Sequence, residues 1–212
     1  LNGDKGYDRM VVEMLAADEA LPEDRGALRA TGFLARNWYK FNRNVWLDNI
    51  VEHSSKAFLG LTANCARCHN HKYDPITQEE YFQLRAVFET HDVRDDPEPG
   101  SGGKLVRTFD AHADRPTYLF VQGNELKPDR ARPLPPGLPA LFGTRLKIEP
   151  IALPVTAYYP ALRPAALQMT VRTAEARVAA AAGQIAAANE RVATARRTLA
   201  KFKLAKFKKV PK

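Results

Sequence analysis

Residues 62–81, TANCARCHNHKYDPITQEEY, decide how this chain is read, because they hold its two cysteines, Cys65 and Cys68, in a CxxCH arrangement completed by His69. That arrangement is the attachment signature of a c-type haem. On a helical turn, positions i, i+3 and i+4 share one face, so two thiols can reach the two vinyl groups of one porphyrin while the imidazole sits beneath the iron. Both cysteines are consumed by the motif, which leaves none for a disulfide. A structural zinc site wants four ligands with a second Cys or His pair at regular spacing, and the sequence supplies no such pair cleanly. A redox dithiol is the other rival, but that motif belongs beside a βαβ pattern, and the flanks here read as helical. The cofactor expected is therefore one covalent haem c, held by Cys65 and Cys68 as thioethers and by His69 as proximal ligand.

Working outward, Tyr7, Met10, Val11, Met14 and Leu15 recur at helical spacing and predict a helix from Gly6 to Ala20, closed by Pro22 and Asp24. Trp46, Ile50, His53, Ala57 and Leu61 predict a second, with Gly60 bending the chain into the motif. Beyond it, Thr77 and Glu80 form a capping-box pair that opens a third helix with the stripe Tyr81, Leu84, Phe88 and His91. Residues 1–96 thus read as a helical haem-binding, cytochrome c-like domain. Twelve of the fifteen prolines fall between Pro97 and Pro164, where the fixed φ and missing amide hydrogens exclude long helices. Residues 97–164 are read as a proline-rich extended or β region, with a loop over Asp95–Gly103 and strands at Tyr118–Val121 and Arg145–Val155.

From residue 165 to 212 the pattern changes again. Val171, Val178, Ile185, Val192 and Leu199 are spaced by seven, and Leu167, Ala174, Ala181, Ala188, Ala195 and Phe202 form the companion series. This predicts an alanine-rich coiled-coil helix with a basic tail, in need of a helical partner from the same or another chain. The fold class expected is mainly α: a helical c-type haem domain, a proline-rich irregular or β middle region and a C-terminal coiled-coil helix.

The net charge of +8 looks at first like a nucleic-acid signal. Residues 191–212 carry nine Lys or Arg and no acid, leaving 23 bases against 24 acids in the first 190. Because the body is neutral and no aromatic platform accompanies the tail, nucleic acid is not an expected partner. No run approaches the roughly 18 apolar residues of a membrane span. The chain opens on Leu1, Asn2, Gly3 and Asp4, without an initiating methionine or signal peptide, and is read as a piece of a longer polypeptide. Haem is attached to CxxCH outside the cytoplasmic membrane, so an exported protein, periplasmic or extracellular, is expected.

The block EHSSKAFLGLTANCARCHNHKYDPITQEEYFQLRAVFE, Glu52 to Glu89, resembles the planctomycete-type cytochrome c family of large exported proteins. ATGFLARNWYKFNRNVW before it, FDAHADRPTYLFVQGNELKP after it and YYPALRP ahead of the alanine-rich helix follow that family's order. The family pattern, similar to CxRCHxHKxDP, is carried by Cys65, Arg67, Cys68, His69, His71, Lys72, Asp74 and Pro75. The resemblance implies haem, export and, in longer members, further haem domains and domains of unknown function.

The expected site follows. Arg67, His71 and Lys72 are candidates for contacts to the haem propionates or to the ligating groups. His53 and His91, each placed on an apolar stripe, are candidate distal iron ligands, with Met10, Met14, Met169, water or an empty site as the remaining choices. The function expected is electron transfer within a larger exported assembly, with a redox partner protein or other haem domains as partners and no catalytic residue. The alternatives are a structural or assembly protein with haem as a staple and the coiled coil as its surface, and a haem-dependent, peroxidase-like module.

Overall fold

The computed structural model describes residues 3–98, 103–112 and 114–207, and the chain forms two compact units, Leu1–Ala161 and Leu162–Lys212. In the first, α1 (Tyr7–Ala20) is the helix expected from the sequence, but the face it buries carries Glu13, Ala17 and Asp18, while Tyr7 is exposed. Glu13 can go under because Lys5 and Arg9 pair with it at 2.5 and 3.0 Å; a buried carboxylate without such partners is expensive. The Asp24 side chain accepts from the Gly26 and Ala27 amides and starts the short α2 (Arg25–Leu28). A 3-10 turn over Arg29–Thr31 leads into α3 (Gly32–Ala35).

The Asn42 side chain caps α4 (Arg43–Ser54), whose buried residues Trp46, Leu47, Ile50, Val51 and Ser54 follow a 3.6-residue period. The expected stripe therefore holds at Trp46 and Ile50 and fails at His53 and Ala57, which are exposed. The buried face runs through Leu47, Val51 and Ser54, which turns His53 to solvent; for Ala57 the reason lies just downstream. The helix widens into a π turn at Ser55–Leu59 and stops at Gly60, whose φ of +66° is a left-handed conformation that glycine adopts without strain. The wider turn shifts the phase of everything after Ser54.

Thr77 and Glu80 make the expected capping box at the start of α5 (Gln78–Ala86). Tyr81, Phe82 and Leu84 of α5 and Phe88 beyond it pack with Trp46, Leu47, Ile50 and Val51 in the main core. The Trp46 indole N–H donates to the Leu34 carbonyl at 2.9 Å, which ties α4 to α3.

His91 does not continue the α5 stripe. It opens β1 (His91–Glu98), which pairs antiparallel with β2 (Gly103–Asp110) in a register that sets His91 opposite Asp110 and Glu98 opposite Gly103. The loop expected over Asp95–Gly103 is thus strand at Asp95–Glu98 and at Gly103; residues 99–102 lie outside the described ones. Hydropathy hides this hairpin because its buried positions include Asp96 and Arg107, 1% and 1% exposed, joined by a 2.5 Å ion pair. Alternation of apolar and polar residues, the usual mark of a strand, is absent where an ion pair occupies the inside.

The expected fold class is corrected accordingly. The protein is helical with a small two-stranded antiparallel sheet, which begins inside the stretch assigned to a helical haem domain, and with a long C-terminal helix. Among the described residues no group of three or more His, Cys, Asp or Glu is placed to hold a metal ion, so the fold itself does not define a haem domain.

No strand forms at Tyr118–Val121. Thr117 bridges Leu134 and Phe120 bridges Pro128 as isolated pairs, and Val121–Gly123 is a 3-10 turn. Residues 145–154 are irregular rather than a strand and lead into α6 (Val155–Tyr158). The proline-rich stretch nonetheless contributes Phe120 and Leu134 to the main core.

The described residues of the second unit form one long helix, α7 (Pro164–Phe207), of 44 residues. Pro164 occupies its first turn, where a missing amide hydrogen costs nothing. No described helix is long and apolar enough to cross a membrane.

Candidate functional site

Cys65 and Cys68 are both free and exposed. Cys65 lies in a 3-10 turn, Ala63–Arg67, and Cys68 is the residue that ends it. Ala63 and Ala66 are buried, so the turn is anchored by its two alanines and shows its two thiols to solvent. His69 follows at once, exposed, with Nδ1 at 2.7 Å from the Asn70 carbonyl oxygen. A carbonyl only accepts, so Nδ1 carries the proton and Nε2 presents its lone pair outward, the tautomer a metal-ligating imidazole needs.

The turn is held by residues far away in sequence. The Arg67 guanidinium donates from Nε to Asp48 Oδ2 at 2.5 Å and from Nη1 to the Gly123 carbonyl at 2.7 Å. The Tyr81 hydroxyl donates to the other oxygen of Asp48 at 2.8 Å. Burial opposes the Arg67 charge, but the Asp48 carboxylate outweighs it and moves the guanidinium above its ordinary value. Burial first, and the Asp48 charge second, push the Tyr81 phenol well up. Gln78 closes the arrangement, donating from Nε2 to the carbonyls of Arg67 and Phe120, each at 2.9 Å. Its amide donates to Asn70 Oδ1 at 2.9 Å.

Of the other residues singled out from the sequence, His71 has both ring nitrogens engaged. Nδ1 accepts from the Tyr73 and Asp74 amides at 3.2 and 2.8 Å. Nε2, which then carries the proton, faces Thr62 Oγ1 at 3.2 Å and Asp74 Oδ2 at 3.5 Å. His71 pins the loop that follows the motif. Lys72 is exposed and its ammonium stands 5.4 Å from the centre of the Tyr73 ring, which is itself 82% exposed.

His53 lies on the exposed side of α4, in a surface depression with Phe33, Arg36 and Lys56. His91 is buried among carboxylates, with Nε2 3.9 Å from Asp18 and Nδ1 3.6 Å from Asp110. Arg43 donates to the His91 and Glu89 carbonyls at 2.6 and 2.5 Å, fixing the backbone there. The structure brings Cys65, Cys68, His69 and Arg67 together on one turn; His53 and His91 sit in the two separate surroundings just given.

Asp48, Tyr81, Gln78 and Gly123 are functional supports that sequence reading passed over. Tyr81 was visible as a core position. Nothing in the sequence marks Asp48, one of two acids on α4, set between Leu47 and Asn49.

Residues 1–93, 44% of the chain, match the family model described as PSCyt2, protein of unknown function (DUF1549), a domain of planctomycete cytochrome c-type proteins. The match spans the CxxCH turn and stops within β1. No curated protein and no solved structure matches the chain.

Proposed function

We propose that the chain is an exported electron-transfer protein carrying one haem c on Cys65, Cys68 and His69. The observation that carries this reading is the geometry of the turn: two solvent-facing thiols bracket two residues and are followed directly by an imidazole whose Asn70 hydrogen bond leaves Nε2 free. Each thiol would add across one vinyl group, sulfur to one carbon and its hydrogen to the other, with no net oxidation. A haem brings four nitrogens of its own to the iron, so one imidazole suffices from this side, and when bound it supplies reversible one-electron chemistry. The chain's part is to hold the ring of His69 in one tautomer and to fix the turn through Arg67, Asp48 and Tyr81.

Such a carrier needs no general acid or base, and its partners are a redox protein or other haem domains, together with a helical partner for α7. Export follows from where thioethers are made. The partial match to a domain of cytochrome c-type proteins supports the same reading.

The test is to produce the chain with a leader peptide alongside a haem-attachment apparatus, and to record a pyridine haemochrome spectrum and an intact mass under denaturing conditions. A c-type α band with one haem of added mass, abolished in the Cys65→Ser/Cys68→Ser variant, is expected. Free thiols and no haem absorbance would overturn the proposal.

A further inference from the structure

The seam of α7 is unpartnered within its own unit, and its side chains carry enough pattern to say what covers it. Val171, Val178, Ile185, Val192, Leu199 and Phe202 are each half exposed or more, a row of large apolar groups that water disfavours. Taking Val171 as heptad position a puts Ala174, Ala181, Ala188 and Ala195 at d, with Phe202 last in that series. Glu175, Arg196 and Lys203 then flank the seam on one side, and Arg177 and Arg191 on the other.

Two copies side by side in the same direction would stack valine on valine and alanine on alanine in alternate layers. The helix separation, set by the side chains at the contact, would have to widen and narrow along its length. Arg191 would face Arg196 of the second copy, twice by symmetry, and Glu175 would face only Thr170. That arrangement has repulsion and no compensating pair.

Turned end for end, every interior layer joins a large residue to a small one. Val178 meets Ala195 of the second copy, Ile185 meets Ala188, Val192 meets Ala181 and Leu199 meets Ala174, with Val171 and Phe202 closing each end. The register that produces these layers is centred between residues 186 and 187, within a residue or so of the middle of Pro164–Phe207, so it uses nearly the whole helix. It also sets Glu175 against Lys203 of the second copy, twice, and moves Arg191 opposite Gln184 and Arg196 opposite Ala182. Size and charge thus select the same direction and register.

We infer that α7 pairs antiparallel with α7 of a second copy of this chain, with Ile185 and Ala188 at its centre and reciprocal Glu175–Lys203 ion pairs near its ends. This deepens the helical-partner part of the proposed function and does not depend on the haem. Sedimentation reads mass while absorbance reads haem, so either idea can fail alone.

The experiment is sedimentation equilibrium of the full chain and of Glu175→Lys, Lys203→Glu and the double variant, with far-ultraviolet circular dichroism to verify that α7 stays helical. A dimer is expected. Each single reversal turns two attractive contacts into two repulsive ones and should weaken it about tenfold, while the double variant restores the pairs and returns the dissociation constant to within about threefold. Ala188→Leu, which overfills the place facing Ile185 without touching charge, should weaken it at least as much. A monomer at tens of micromolar, a trimer, or single reversals with no effect would overturn the inference; the last is the result for parallel pairing, and a monomer is the result if another segment covers the seam.

Discussion

Gly123 lies directly against Cys68: a methyl group built on its Cα would overlap the Cys68 sulfur and come within 3.1 Å of the Arg67 guanidinium. Its φ of +71° is moreover left-handed. Gly123→Ala is therefore strained twice, by conformation and by contact, and is expected to destabilise the first unit by about 1–3 kcal/mol. A urea titration measures the loss. Because the overlap falls on Cys68, alkylation of that thiol in haem-free chain under native conditions should also become faster than in the parent; an unchanged rate and midpoint would contradict the close approach.

Asp48 satisfies two groups at once, Arg67 and Tyr81. Asp48→Ala leaves a half-buried guanidinium and a buried phenol without their acceptor, and about 1–3 kcal/mol of stability should go with it. Tyr81→Phe removes a single donor and should cost about 1 kcal/mol. In a double-mutant cycle the two losses should fall short of additive, since they share one carboxylate.

Stability should fall as pH rises from about 4.5 to about 8. The Asp110 hydrogen bond first, then burial and the neighbouring Asp110 and Asp18 charges, push the Glu19 carboxyl from its ordinary value of 4.5 up to about 8. Glu19 thus keeps its proton in the folded chain over a range where the unfolded chain has lost it. The folded state binds more protons in that window, and raising the pH draws the equilibrium toward unfolding. Asp18 is raised by burial and adds to the trend, whereas Asp110 moves down and acts only below its ordinary range. Urea midpoints at pH 5 and pH 8 should differ in the parent and converge in Glu19→Gln.

The Asp96–Arg107 pair is the inside of the hairpin. Asp96→Ala strands a guanidinium that is 2% exposed at its side chain, and about 3–5 kcal/mol is expected for breaking one side of a buried pair. Asp96→Leu/Arg107→Leu removes both buried charges, leaves Arg94, which also pairs with Asp96 at 2.6 Å, its Tyr158 carbonyl, and should recover part of that loss. Thermal melts of the two variants decide the matter by their order.

Elements whose signal is local were legible in the sequence. Thr77 and Glu80 announce α5 because a capping box is written in neighbouring residues, and the sevenfold repeat announces α7 because a long helix repeats its own rule. The β hairpin was not legible, since Asp96 and Arg107 bury charge where a strand normally buries Val or Ile. His53 was misplaced because the buried face of α4 runs on through Leu47, Val51 and Ser54, and Ala57 because a π turn, which has no sequence rule of its own, shifts the phase after Ser54. The place of the cysteine turn could be read from CxxCH alone. What holds it, Asp48 on α4 and Gly123 in the proline-rich stretch, depends on contacts between segments that no local pattern records.

The clasp on that turn comes late in the chain. Arg67 is bound by a carbonyl 56 residues further on, so a chain emerging from its N-terminus presents Cys65 and Cys68 before the segment that fixes their turn exists. At roughly 5–20 residues per second, that interval is on the order of 3–11 s. For that interval both thiols ride on a turn that the later part of the chain has yet to lock.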